Sequence, residues 1–296
     1  MPATPQEILD KYINVADADL RDAFSTFILP GYVPAASATT NDNAAVAYIL
    51  GGQPGVGKTE LILEARKMHS GNLVECNADN FRAFHPLHDD IIKESPDYYP
   101  DLTGKFAIDL NNMLVQYCLG NRLDFILETT FSSLGQMNST IKRFKKKGHI
   151  VNIMILAVNP HISYLNTLTR YENMLENKAD FARKVGDTRH DSRYGQIEKT
   201  LTLVLEKKLY DHIYIYGRAG LAKQSGKTNG LLLKSRDGKS PLNVYIKERD
   251  KKWSDEDKQY FMQRALLLAE TMVRRKASMD ELRELFHYYR FSDYTW

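Results

Sequence analysis

The sequence predicts an α/β fold in which a mostly parallel sheet is flanked by helices, with helices ahead of it and a loop-plus-helix extension behind. Short apolar runs with β-branched and aromatic content alternate with helical patterns from Ala45 to Tyr216. A glycine-rich turn follows the first of these runs directly and opens into a helix. The chain has 296 residues, 43% hydrophobic and 26% charged, enough for one large domain or a medium domain with an appendage, and excludes wholesale disorder.

At the N-terminus, Thr4-Pro5-Gln6-Glu7 reads as a helix start, with Thr4 as N-cap, Pro5 in the first turn and Glu7 closing a capping box. Ile8, Tyr12, Val15, Leu20, Phe24 and Phe27 continue a helical stripe, broken around Asp17 to Asp19. Pro30-Gly31 through Asn43 reads as a linker, which sets an N-terminal helical segment and linker at 1–43.

Strands are expected at Val46 to Leu50, Leu73 to Cys76, Phe125 to Leu127, Ile150 to Val158 and Ile213 to Tyr216, giving a core at 44–217. Residues 218–296 form a basic extension with no assigned role. From Gly217 onward the chain carries 17 Lys+Arg against 11 Asp+Glu, whereas residues 1–216 carry 23 against 26. Charges of both signs are interspersed there, as on a solvated helical face. Gly217 to Ser240 reads as loops or a hairpin, followed by a strand at Asn243 to Ile246. Two helices close the chain, the first starting at Ser254 and the second with the capping box Ser278-Met279-Asp280-Glu281.

Cys76 and Cys118 stand in apolar stretches and supply neither a disulfide framework nor a cysteine zinc cluster. With no basic-then-apolar leader and no apolar run of about 18 residues, a soluble cytoplasmic protein is expected, with membrane and nucleic acid not expected as partners.

The motif that carries chemistry is Gly52-Gln53-Pro54-Gly55-Val56-Gly57-Lys58-Thr59, the spacing of a phosphate-binding loop between strand and helix. Glycines let backbone N–H groups turn around a polyphosphate, and the helix N-terminus adds partial positive charge. Lys58 is expected on the terminal phosphates and Thr59 on Mg²⁺. The fold expected is therefore a P-loop kinase-like α/β sheet binding a nucleoside triphosphate with Mg²⁺.

In open α/β sheets ligands bind beyond the carboxyl ends of strands. Asp79 follows the second strand and reads either as a general base for an attacking hydroxyl or as a helix N-cap. Glu128 ends the third strand and reads as a substrate or Mg²⁺-water ligand, or as a surface carboxylate. Arg170 is expected on the helix after the fourth strand and reads as cationic support for a transferred phosphoryl or, like Arg189 and Arg193, as part of a solvated basic helix. Arg183, Arg189 and Arg193, with Gly186 and Gly195, have the composition of a mobile lid. Lys145-Lys146-Lys147 reads as a solvated helix end. His85, His88 and His190 lack metal-ligand spacing and read as packing or surface residues.

With these residues in order, the chain resembles the zeta toxin family, the P-loop kinase toxins of bacterial toxin–antitoxin systems. The matching stretches are Leu50 to Thr59, Asp79-Asn80-Phe81-Arg82 with His85-Pro86, Glu128-Thr129-Thr130, Arg170-Tyr171-Glu172 with Met174, and Arg183, within roughly residues 5–217. The resemblance implies phosphorylation of UDP-N-acetylglucosamine or a related UDP-sugar on the 3′-hydroxyl, with ATP and Mg²⁺. It implies Asp79 as general base, Lys58 and Thr59 as phosphate and Mg²⁺ ligands, and Arg170 and Arg183 as transition-state cations. Glu128 and Thr130 are then substrate-side residues, with Asn112 where the family places a carboxylate. A small antitoxin packing on residues 5–28 is also implied. The chain departs from the family at Asp109-Leu110-Asn111-Asn112-Met113, and at Phe131-Ser132, where Gly and Arg are common. The alternatives are a kinase of another nucleotide, a nucleoside or an RNA end, and a non-catalytic nucleotide-dependent switch.

Overall fold

The computed structural model of the protein describes residues 11–33, 44–69, 72–177, 182, 186–220 and 230–288. Its strands β1 (Val46–Gly51), β2 (Val74–Cys76), β3 (Phe125–Thr129), β4 (Ile150–Leu156), β5 (His212–Arg218) and β6 (Leu231–Arg236) form one sheet in the order β2-β3-β1-β4-β5-β6. β2 pairs parallel with β3, Val74 opposite Phe125 and Cys76 opposite Leu127. β6 runs antiparallel to β5 and is the strand hidden in the segment expected as loops or a hairpin. Central β1 and β4 are buried almost throughout, as strands covered on both faces must be. β4 stops at Leu156, two residues short of the expected end.

The helices are α1 (Asp17–Ala23), α2 (Leu29–Tyr32), α3 (Lys58–His69), α4 (His88–Glu94), α5 (Tyr99–Leu102), α6 (Gly104–Gly120), α7 (Gln136–Lys146), α8 (Pro160–Glu176), α9 (Asp187–Lys207), α10 (Pro241–Arg249), α11 (Asp255–Arg274) and α12 (Met279–Tyr288). None of the described helices is long and apolar enough to cross a membrane.

Three sequence expectations need correction. Asn243 to Ile246 is helical, because Pro241 in the first turn starts α10 and Pro241 and Tyr245 share its buried side. The linker does not begin at Pro30: a π-helical turn, Phe24–Ile28, joins α1 to α2, and Leu29 N–H bonds back to Phe24 O. That wider turn accommodates a proline, which has no N–H to give, and the helix runs on to Tyr32. Gly195 lies inside α9 rather than in a lid loop. The expected helix start at Thr4 to Glu7 and the expected linker residues 34–43 lie outside the described residues.

The chain divides into two compact units, residues 1–49, 62–129 and 140–152, and residues 50–61, 130–139 and 153–296. In the first unit, Phe106, Leu110, Leu114 and Cys118 bury one face of α6 at near-helical spacing. Its N-terminal residues dock on the 3₁₀ helix Ala78–Phe84, on His85 and on the end of α4. Phe27 stacks on Phe84 with ring centroids 5.4 Å apart, and Tyr32 meets Phe81 edge-on at 4.9 Å. Tyr12 O–H donates to Glu94 over 2.6 Å, and its carbonyl lies 3.0 Å from His85 Nε2. Cys76 and Cys118 are free and buried there.

In the second unit, the C-terminal helices clamp α8. Arg275 of the α11–α12 turn donates to both oxygens of buried Glu172, at 2.5 and 2.8 Å, and also to Glu281 at 2.6 Å. Glu281 in turn accepts the Ser278 N–H, while Ser278 Oγ accepts the Glu281 N–H, so the expected capping box forms. Ser254 caps α11 as expected, accepting from Asp257 N–H. Tyr164 O–H reaches Glu284 over 2.8 Å.

A candidate phosphate-binding site

The phosphate loop lies between β1 and α3, in the second unit, and its backbone is held carbonyl by carbonyl. Lys58 Nζ donates to Gly52 O at 2.9 Å and to Gln53 O at 3.4 Å. Ser163 Oγ donates to Pro54 O at 2.8 Å, Asn166 Nδ2 to Gly55 O at 2.7 Å, and Arg218 Nη2 to Val56 O at 2.7 Å. Each trans peptide plane sets its N–H opposite its C=O. Fixing the carbonyls of Pro54, Gly55 and Val56 outward therefore turns the N–H groups of Gly55, Val56 and Gly57 to the other side, the arrangement of an anion nest.

Two glycines are required here by conformation and by space. Gly55 has φ +83° and Gly57 φ +92°, and a Cβ on Gly55 would run into the Ser163 carbonyl of α8, one on Gly57 into the Arg218 guanidinium. Arg218, at the end of β5, also forms an ion pair with Glu60 in the first turn of α3. The Gln53 side chain is fully buried, and neither amide atom has a hydrogen-bonding partner among the described residues. Thr59, in the first turn of α3, is exposed.

The Ser163 hydroxyl has a second partner, since it also lies 2.9 Å from His190 Nε2, whose Nδ1 is 2.9 Å from Asp191. Ser163 and His190 are both fully buried, so this Ser-His-Asp arrangement gives no substrate access to the hydroxyl and acts on the loop instead. Burial holds the His190 imidazole below its usual pKa, against the opposing pull of Asp191. Arg170 lies one turn beyond Asn166 on α8, hence on the face that meets the loop, and is exposed.

Of the expected acceptor-side residues, Asp79, Asn112 and Glu128 fall in the first unit and Thr130 in the second. Asn77, not Asp79, caps the 3₁₀ helix Ala78–Phe84: its Oδ1 accepts from Asp79 N–H at 3.0 Å. Its Nδ2 donates to Glu128 Oε2 at 2.9 Å, so one amide joins the two carboxylate positions. The N-cap alternative for Asp79 is thereby removed. The Asp79 carboxylate is exposed and accepts from Arg82 Nε at 3.0 Å, while Arg82 is anchored on Pro100 O and Thr103 Oγ1. Asn112 is exposed on α6, and its neighbour Asn111 is buried with Oδ1 unbonded among the described residues.

Thr130, in the second unit, shares a 2.7 Å hydrogen bond with Ser132. Phe131 between them takes φ +54°, a conformation that favours glycine, and its buried side chain lies so close to Gly51 that a Cβ there would sit 2.9 Å from Phe131 Cβ. At this departure from the family pattern the chain thus carries a packed ring on a left-handed backbone position. Arg183 lies outside the described residues, and of the Arg189 side chain nothing is described.

Sequence reasoning missed Ser163, Asn166, His190 and Arg218 as loop-holding residues. Only Arg218 carries a signal, its place at the carboxyl end of a strand.

The family described as Zeta toxin matches residues 34–229. Toxin PezT of Streptococcus pneumoniae is 30% identical over 188 residues, 62% of this chain and 73% of that protein. A structure from the PezAT chromosomal toxin–antitoxin system of Streptococcus pneumoniae matches with a TM-score of 0.74 at 22% identity, over 88% of this chain and 99% of that one. The AvrRxo1-ORF1:-ORF2 structure with ATP shares the fold at a TM-score of 0.50 and 12% identity, over 84% of this chain and 74% of that one. With the phosphate loop, Asp79, Glu128 and Arg170 all inside the matched segment, the chain belongs to the zeta toxin family.

Proposed function

We propose that the protein is an ATP-dependent kinase that transfers the γ-phosphoryl group to the sugar 3′-hydroxyl of UDP-N-acetylglucosamine or a related UDP-sugar, and that it acts as the toxin of a toxin–antitoxin pair in the cytoplasm. The observation that carries this reading is the anchoring of the Pro54, Gly55 and Val56 carbonyls, which turns the N–H groups of Gly55, Val56 and Gly57 the other way, as a polyphosphate cradle requires, with Val56 N–H in a long 3.4 Å contact to Gln53 O. The Lys58 ammonium rests on two loop carbonyls, a placement from which it can turn to phosphate oxygens. The fold shared with an ATP-bound structure supports ATP as donor, and the PezAT likeness supports an antitoxin partner.

In this reading Asp79 accepts the proton of the acceptor hydroxyl as that oxygen bonds to the γ-phosphorus, and the bond to the β–γ bridging oxygen breaks to release ADP. Arg82 holds the Asp79 carboxylate in place, and Asn77 sets the backbone that carries it. Lys58, Arg170 and Arg183 stabilise charge on the transferred group. Glu128, Thr130 and Asn112 contact the acceptor. Thr59 would hold Mg²⁺, which would supply neutralisation of phosphate charge.

The test is mass spectrometry of UDP-N-acetylglucosamine after incubation with ATP, Mg²⁺ and the protein. A gain of one phosphoryl group is expected, lost in Asp79→Asn with ATP binding retained, and lost together with ATP binding in Lys58→Ala. Phosphorylation of RNA ends with none of the nucleotide sugar would overturn the acceptor. An Asp79→Asn protein with full turnover would overturn the role of the base.

A further inference from the structure

We infer that Arg264, in the C-terminal extension, is a positioning residue for the phosphate loop, acting through Asn166. This rests on the reading of that loop as an ATP site. Arg264 of α11 donates from Nη2 to Asn166 Oδ1 at 2.8 Å, and Asn166 Nδ2 donates to Gly55 O at 2.7 Å. An amide side chain offers its oxygen and its NH₂ in opposite senses, so an arginine fixed on the oxygen dictates which end faces the loop. Without that arginine nothing in this relay prevents the amide from flipping and setting oxygen against the Gly55 carbonyl.

The orientation of the Gly55–Val56 peptide follows, and with it the direction of the Val56 N–H, which among the described residues makes only a 3.4 Å contact to Gln53 O. Two further contacts from the same extension fix the helix that carries Asn166: Arg275 to Glu172 and Glu284 to Tyr164. Arg264, Arg275 and Glu284 all lie beyond residue 229, where the family match ends. The extension is thus a working part of the nucleotide site in this chain.

The experiment is calorimetric titration of ATP into the full chain, with KM values for ATP and for the acceptor measured alongside, for wild type, Arg264→Ala, Asn166→Ala and the double variant. Each single variant is expected to weaken ATP binding about tenfold, and the double variant no more than the weaker-binding single, because the two residues form one relay. The KM for the acceptor is expected to stay unchanged, which a general loss of structure would not allow. Asn166→Asp keeps the acceptor for Arg264 but replaces the donor to Gly55 O, and is expected to lose ATP affinity with its melting temperature retained, so it stands in should Arg264→Ala not fold. Arg283→Ala, which removes an exposed pair with Asp280, is the control and should bind as wild type. Wild-type affinity in Arg264→Ala, additive losses in the double variant, or undiminished affinity in Asn166→Asp would each overturn the inference while leaving the ATP site intact. A wild-type protein that binds no ATP would overturn the site reading itself.

Discussion

Asn77 joins Glu128 through a 2.9 Å hydrogen bond from its amide, and the same side chain caps the 3₁₀ helix Ala78–Phe84 by accepting the Asp79 N–H. The two contacts can be separated. Asn77→Asp keeps an oxygen for the Asp79 N–H but replaces the donor to Glu128 with a like charge, so the fold should persist while turnover falls about tenfold or more. Asn77→Ala loses both and should add a stability loss of about 1 kcal/mol, the usual worth of a cap. Steady-state turnover and denaturant midpoints on the two variants check this, and equal turnover in Asn77→Asp and wild type would refute it.

Gly57 and Arg218 are locked together by space. Gly57→Ala forces a side chain into φ +92° and against the guanidinium that holds Val56 O and pairs with Glu60, so ATP binding should be abolished. Arg218→Ala loses a charged hydrogen bond to the loop and should weaken ATP binding roughly tenfold, since such bonds contribute about 1.5–3 kcal/mol. The double variant relieves the collision but not the backbone strain. Titration with ATP should find its folding improved over Gly57→Ala and its binding still lost.

Arg275 and Glu172 form a pair in which the carboxylate is 3% exposed. Removing the arginine alone leaves a buried charge, expected to cost about 3–5 kcal/mol. Replacing both residues by leucine removes the charge as well, and should cost less than Arg275→Ala despite changing more atoms. Urea unfolding of the two variants decides this, and a double variant less stable than the single would contradict it.

The parts of the molecule readable in the sequence are those whose cause is local. The phosphate loop is a contiguous pattern between a strand and a helix, and Ser254 and Ser278 cap helices through residues three positions on. Strand-end logic found Asp79 and Glu128, and applied equally to the strand Ile213 to Tyr216 it would have found Arg218. Ser163, Asn166 and His190 leave no such trace, because hydroxyl, amide and imidazole groups bonded to a distant carbonyl have no characteristic spacing. The stretch Asn243 to Ile246 misleads because its apolar content suits strand or helix, and the deciding residue, Pro241, lies outside the run. Phe131 hides a left-handed backbone position under a bulky side chain that packing holds there.

Buried histidines set the pH dependence of stability. Burial lowers the pKa of His85, His149, His161 and His190 in the folded chain from the ordinary 6.5, in each case as the largest cause. A lowered histidine pKa means the unfolded chain takes up protons that the folded chain refuses. Stability is therefore complete above about pH 6.5 and declines as pH falls from there toward the lower folded-state values, at up to about 1.4 kcal/mol per pH unit for each proton. The carboxylates act lower: Glu281, held down to about 2 by Arg275, loses its contribution only below the ordinary range near 4.5. Urea unfolding between pH 7.5 and 5.5 should thus show falling stability before the Glu281 carboxylate titrates. His149→Gln provides the specific check, because a glutamine can keep the bond to Leu123 O without titrating. Its stability should fall less steeply over the same range, by up to one proton, and an unchanged slope would show that His149 does not resist protonation in the folded chain.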